Sequence, residues 1–133
     1  MMNPVVHFEM PYRDRDRAAR FYASAFGWKT QALGPEMGEY LLLTTTETDA
    51  KPGAPAGAIG GGMFPFKPDW PAQHPSVVVG VESVDAAMQR VRAAGGQVLG
   101  EPMMIPGVGR YVVFVDTEGN HNSMIEPLMG EGG

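Results

Sequence analysis

The chain is written twice. Gly27 and Gly96 each close a segment with an apolar helical face, and they lie 69 positions apart. Asp16 and Asp85, each placed to open such a segment, are also 69 positions apart. Val5 to Met10 is short, apolar-rich and flanked by Pro4 and Pro11, so it reads as a strand. Asp14 or Asp16 can cap the helix that follows, where Ala18, Phe21, Tyr22 and Ala25 recur at spacings of three and four. Gly27 can take the left-handed conformation that ends a helix. Trp28 to Leu33, Tyr40 to Thr46 and Ala58 to Phe64 read as three further strands.

The second half repeats the order. Ser76 to Val81 is a β-branched strand. Ser83 or Asp85 starts a helix with Ala87, Met88, Val91 and Ala94 on one side, and Gly95-Gly96 ends it. Gln97 to Leu99 reads as a short strand, followed by Tyr111 to Val115 and Asn122 to Glu126. A repeat of this size makes a pair of modules, not a solenoid. The competing possibility is an α+β domain without internal symmetry. The expected fold is therefore α+β, with two tandem βαβββ modules forming a curved, partly closed mixed sheet around a central cleft. Residues 1–133 form a single domain: module one about 4–66, a proline-rich linker about 66–75, and module two about 76–128. Thr46 to Gly57 is polar and turn-rich and reads as an inserted surface loop. The tail, Gly130 to Gly133, is expected to fray.

Composition narrows the function classes. Hydrophobic residues make up 44% and charged residues 19% of the 133, which is globular in character and enough for a core without staples. There is no cysteine, so thiolate metal sites, a cysteine nucleophile and disulfides are all excluded. A cytoplasmic location is compatible with that composition. The formal net charge is -5 with no long basic run, which argues against nucleic-acid or anionic-membrane partners. Met1 to Met10 lacks the basic flank of a signal peptide, and no apolar run reaches membrane-spanning length. The run Gly60-Gly61-Gly62 is not followed by Lys-Ser/Thr or by a helix start, so it is no phosphate loop. It marks a close backbone approach or a bulge.

Several stretches together resemble the vicinal oxygen chelate superfamily of glyoxalases, bleomycin-resistance proteins and extradiol dioxygenases. They are His7-Phe8-Glu9-Met10-Pro11, Arg17 to Tyr22, Phe26-Gly27-Trp28, Val81 to Ala87, Ala94-Gly95-Gly96, Pro106 to Tyr111 and Asp116 to Asn120. The likeness spans about Val5 to Pro127 and is similar to the uncharacterised glyoxalase-like branch. It implies a small-molecule ligand and a homodimer. Catalytic members hold a divalent metal with His, Glu or Gln from the first and last strand of each module. The matching positions here are His7, Gly61, Ser76 and Ser123, of which only His7 is a good ligand. No cofactor is expected, and a divalent metal at His7 is the less favoured alternative.

Alternation along a strand puts His7 and Glu9 on one face, and His121 and Ser123 on one face. His7 and Glu9 are the candidate catalytic pair for acid/base chemistry. His7, Glu9 and His121 as a non-standard metal site, or His7 simply hydrogen-bonded across the sheet, remain the alternatives. Gly61, Phe64, Ser76, Tyr111, His121 and Ser123 are the candidate pocket residues, with ordinary core packing as the competing role for the aromatics. The expected function is a lyase or isomerase acting on a small organic substrate without the full metal site. The alternative is a non-catalytic sequestering protein of the bleomycin-resistance type.

Overall fold

The computed structural model describes residues 2–46 and 58–128. The expected surface loop lies, from residue 47 on, outside the described residues, as does the glycine-rich tail. The elements are β1 (Val5–Tyr12), α1 (Arg15–Phe26), β2 (Lys29–Ala32), a 3-10 turn (Pro35–Met37), β3 (Leu41–Thr44), β4 (Gly60–Pro65), β5 (Ser76–Gly80), α2 (Val84–Ala93), β6 (Gln97–Ile105), β7 (Gly109–Val115) and β8 (His121–Pro127). The α+β class and the strand–helix–three-strand order of each half agree with the sequence pattern. Two compact units result, one of His7–Pro75 and one of Met1–Val6 with Ser76–Gly133.

In the His7–Pro75 unit the strands run in the order β2-β3-β4-β1. β1 is parallel to β4, and β3 is antiparallel to both β2 and β4. α1 opens at Asp14, whose carboxylate accepts from the Arg17 amide at 3.0 Å. It closes at Gly27, where φ is 73° and no β-carbon obstructs the turn. The core of this unit is Leu41, Leu43 and Met63, with Phe8, Met10, Tyr12, Ala18, Ala19, Tyr22 and Trp28 packed on it. Complete burial of a leucine contributes about 1.5–3 kcal/mol, so Leu41 and Leu43 are substantial contributors to this core. Tyr22 stacks on Trp28 at 4.8 Å. Phe21, expected on the buried face, is 56% exposed. Ala19 packs on the core beside the expected Ala18 and Tyr22.

In the other unit the order is β5-β8-β7-β6. β5 is parallel to β8, and β7 is antiparallel to both neighbours. Ser83 caps α2 by accepting from the Ala86 amide, and Glu126 accepts from the Val84 amide at 2.9 Å. The two working caps, Asp14 and Ser83, again lie 69 positions apart. Asp16 and Asp85 sit in the first helical turns, where a negative charge meets the positive end of the helix dipole. The core here is Val81, Val84, Ala87, Val112 and Met124. β6 runs to Ile105 rather than stopping at Leu99. Gly100, at φ 74°, lies in the irregular stretch between Leu99 and Met103, so the breakers Gly100 and Pro102 are absorbed without ending the strand. Met103 and Met104 are 59% and 54% exposed, so they are not core fillers. No helix among the described residues is long and apolar enough to cross a membrane.

Candidate functional site

β1 sorts its side chains by alternation. Phe8, Met10 and Tyr12 point to the α1 side and join the core. His7 and Glu9 therefore stand on the opposite face, as expected. The residue that joins them is Tyr40, just before β3. Its hydroxyl donates to Glu9 Oε2 at 2.8 Å and meets His7 Nε2 at 3.0 Å. The imidazole and phenol rings lie nearly parallel, with centroids 6.4 Å apart. The Tyr40 backbone is fixed as well, because its carbonyl accepts from the Leu33 amide at 2.8 Å. His7 is half-buried. Burial lowers its pKa from the ordinary 6.5, and the nearby Glu9 charge opposes that shift without cancelling it. His7 therefore holds its proton less readily than a histidine in water. The neutral ring is the form able to accept a proton or donate one hydrogen bond.

The glycine run makes room for this group. Glu9 pairs with Gly62 in the β1–β4 register, and Leu42 pairs with Gly62 from the other side. A β-carbon on Gly62 would collide with the Tyr40 ring, including its hydroxyl. Gly61, the position matching the family's metal seat, pairs with Phe8, and a β-carbon there would strike the Phe8 ring. Gly61 thus faces the helix side, not His7 and Glu9. Phe64 pairs with Pro11, which alternates with His7 and Glu9, so it shares their face. Sequence reasoning missed Tyr40 because it placed that residue as one more strand position. The available signal was the triple glycine, which marked a close approach without saying by what.

The remaining candidates fall in the other unit. Met124 and Val112 face α2, so Ser123, His121 and Tyr111 stand on the face away from it. Val78 pairs with Ser123, and Ser76 lies two residues before Val78, on the same face. Four of the eight candidates are thus gathered on one sheet face. Ser123 is 2% exposed, and its hydroxyl has no hydrogen-bond partner among the described residues. Glu126, on the α2 side, caps that helix and lies 3.8 Å from Arg110. A separate surface depression of about 340 Å³ sits beside the start of α1, lined by Tyr12, Arg13, Arg17, Phe21 and Met63 among others. None of the expected site residues lines it.

Residues 5–124 match the model of the Glyoxalase/Bleomycin resistance protein/Dioxygenase superfamily. The chain belongs to this family. Among curated relatives, the Mycobacterium tuberculosis protein named "Putative glyoxylase CFP32" is 33% identical over 113 residues, which are 84% of this chain and 40% of that protein. This glyoxalase-family chain thus spans less than half the length of that relative. A "Glyoxylase-like domain-containing protein" of Didymella fabae is 29% identical over 123 residues, covering 87% of this chain and 88% of the relative. Among solved structures, methylmalonyl-CoA epimerase from Mycobacterium tuberculosis superimposes with a TM-score of 0.68 at 18% identity, covering 95% of this chain and 89% of that one. At that identity the likeness establishes the shared glyoxalase-type fold and nothing finer.

Proposed function

We propose that this chain moves a proton on a small organic molecule, as a lyase or isomerase, with His7 as the general base and Glu9 as its charged companion. The observation that carries this is the hydrogen-bonded series His7–Tyr40–Glu9 on the sheet face away from α1. A half-buried imidazole with a lowered pKa is neutral near pH 7 and ready to accept a proton. The suitable substrate carries a C–H bond beside a carbonyl, acidic enough for imidazole to remove its proton. The methylmalonyl-CoA epimerases that share the fold are isomerases by name, which is consistent with such chemistry but does not carry it.

Of the four positions matching the family's ligands, Gly61 has no donor atom and faces Phe8, while Ser76 and Ser123 offer neutral hydroxyls. Neutral hydroxyls are poor ligands for borderline divalent cations. This donor set does not fit the four-ligand site.

The test uses exchange in deuterium oxide. Two-oxo acids and acyl thioesters are incubated with the protein, and deuterium at the carbon beside the carbonyl is read by NMR. The wild type is expected to catalyse exchange, and His7→Ala to slow it by about 10²–10⁴-fold, the usual worth of a positioned base. A second function, sequestration, is favoured by Phe64, an aromatic on the same face as His7. Compounds that raise the melting temperature but are recovered unexchanged would establish sequestration and overturn the proton-transfer role.

A further inference from the structure

The single proton of Tyr40 decides which nitrogen of His7 can act. A phenol has one hydrogen to give, and a carboxylate can only accept. The Tyr40 hydroxyl gives that hydrogen to Glu9 Oε2 at 2.8 Å. Towards His7 its oxygen is therefore an acceptor, and the 3.0 Å contact requires the hydrogen to sit on Nε2. In a neutral imidazole the lone pair then falls on Nδ1. We propose that Tyr40 is a positioning residue that locks His7 as the Nε2–H tautomer, so that Nδ1 is the atom that takes the substrate proton. This rests on the proton-transfer role assigned to His7 above, and adds the atom, the direction and the group that sets them.

Three features of the chain hold the lock in place. Tyr40 is anchored through its own carbonyl by the Leu33 amide. Its ring occupies the space that a side chain on Gly62 would fill. Glu9, paired with Gly62 across β1 and β4, is set on the same side by the register. The consequence for chemistry is an asymmetry. His7 enters the cycle as a base at Nδ1, because its one hydrogen is committed to Tyr40. The proton bound at Nδ1 leaves from Nδ1 when it is returned to the product. The preferred substrate is therefore one that receives its proton from the same group that removed it, and the charge that develops on its carbonyl oxygen must be met by a donor other than His7.

The experiment is long-range proton–nitrogen NMR on uniformly ¹⁵N-labelled full chain at a pH where His7 is neutral, with His7→Gln used to assign its signals. The wild type is expected to show a protonated Nε2 and an unprotonated Nδ1. Tyr40→Phe keeps the ring but removes the acceptor, and should give a mixture of tautomers. Gly62→Ala should do the same by displacing the Tyr40 ring. A wild-type His7 protonated at Nδ1, or a tautomer ratio unmoved in Tyr40→Phe, overturns the proposal. The readout needs no turnover, so a correct tautomer without deuterium exchange would count against the proton-transfer role and leave the tautomer lock standing.

Discussion

The two sheet faces turned away from the helices share a plan and differ in content. In the His7–Pro75 unit the face carries a connected polar group, with His7, Tyr40 and Glu9 linked by hydrogen bonds at 3.0 and 2.8 Å. In the other unit the matching face carries Ser76, Tyr111, His121 and Ser123, and the Ser123 hydroxyl is buried without a partner among the described residues. Both units repeat the strand–helix–three-strand order, while the residues on the faces away from the helices differ. The first unit carries the hydrogen-bonded series His7–Tyr40–Glu9. The other carries a hydroxyl whose burial is a cost unless something outside the described residues meets it.

Glycine substitutions separate the two modules most strongly. Gly109 has φ 152°, and a β-carbon there would run into the Glu126 carbonyl oxygen, which is backbone and cannot step aside. The atoms nearest a β-carbon on Gly62 are those of the Tyr40 ring, a side chain that can turn on its own torsions. Gly109→Ala should therefore cost roughly 3 kcal/mol in urea unfolding, from strain and clash together. Gly62→Ala should cost clearly less than Gly109→Ala. Equal losses would mean that Tyr40 is held as rigidly as backbone, and the contrast between the modules would fail.

Some of this was legible in the sequence because it is local. A cap, an apolar face and a nearby glycine lie close together in the chain, so the existence of α1 and α2 could be read off directly, while Phe21 was assigned to the wrong face of α1. His7 and Glu9 on one face followed from strand alternation alone. Tyr40 was not legible, because its meeting with Glu9 spans 31 positions and depends on which strands become neighbours. Gly61 illustrates the sensitivity of register. Aligning the last strands puts the seat at Gly61 with room for a slip of one residue; Gly60 and Gly62, which pair with His7 and Glu9, equally lack a donor atom. β6 extends past the expected end at Leu99 although Gly100 and Pro102 are strand breakers by type. A glycine at φ 74° in an irregular stretch lets the pairing resume at Met103.

Ser123 offers a smaller effect of opposite sign. Its hydroxyl is buried and has no hydrogen-bond partner among the described residues. Ser123→Ala removes that group with almost no change in volume, and should raise stability by about 1 kcal/mol. The measurement is the denaturation midpoint at unchanged slope. A loss of stability would show that the hydroxyl is satisfied after all, and would make the second face a polar site in its own right.

The smallest effect is the dependence of stability on pH that His7 should impart, for which Ser76, its counterpart in the repeat, has no titrating group. Burial holds the folded-state pKa of His7 below the ordinary 6.5, against a weaker opposing pull from Glu9. Above that ordinary value His7 is neutral in both states and contributes no slope. Between it and the lower folded value the unfolded chain binds the extra proton, so stability falls as the pH is lowered and levels off once the folded protein is protonated too. Asp85, held below its ordinary 3.8 by the hydrogen bond and charge of Arg110, and Asp116, held down by hydrogen bonds from Asn120, lose their contributions only in the more acid carboxylate range. The two windows are therefore separable. His7→Gln should flatten the slope just below pH 6.5 and leave the carboxylate limb intact. A slope there that survives the substitution would assign the pH dependence to another group, and a slope of the opposite sign in the wild type would mean that Glu9 outweighs burial at His7.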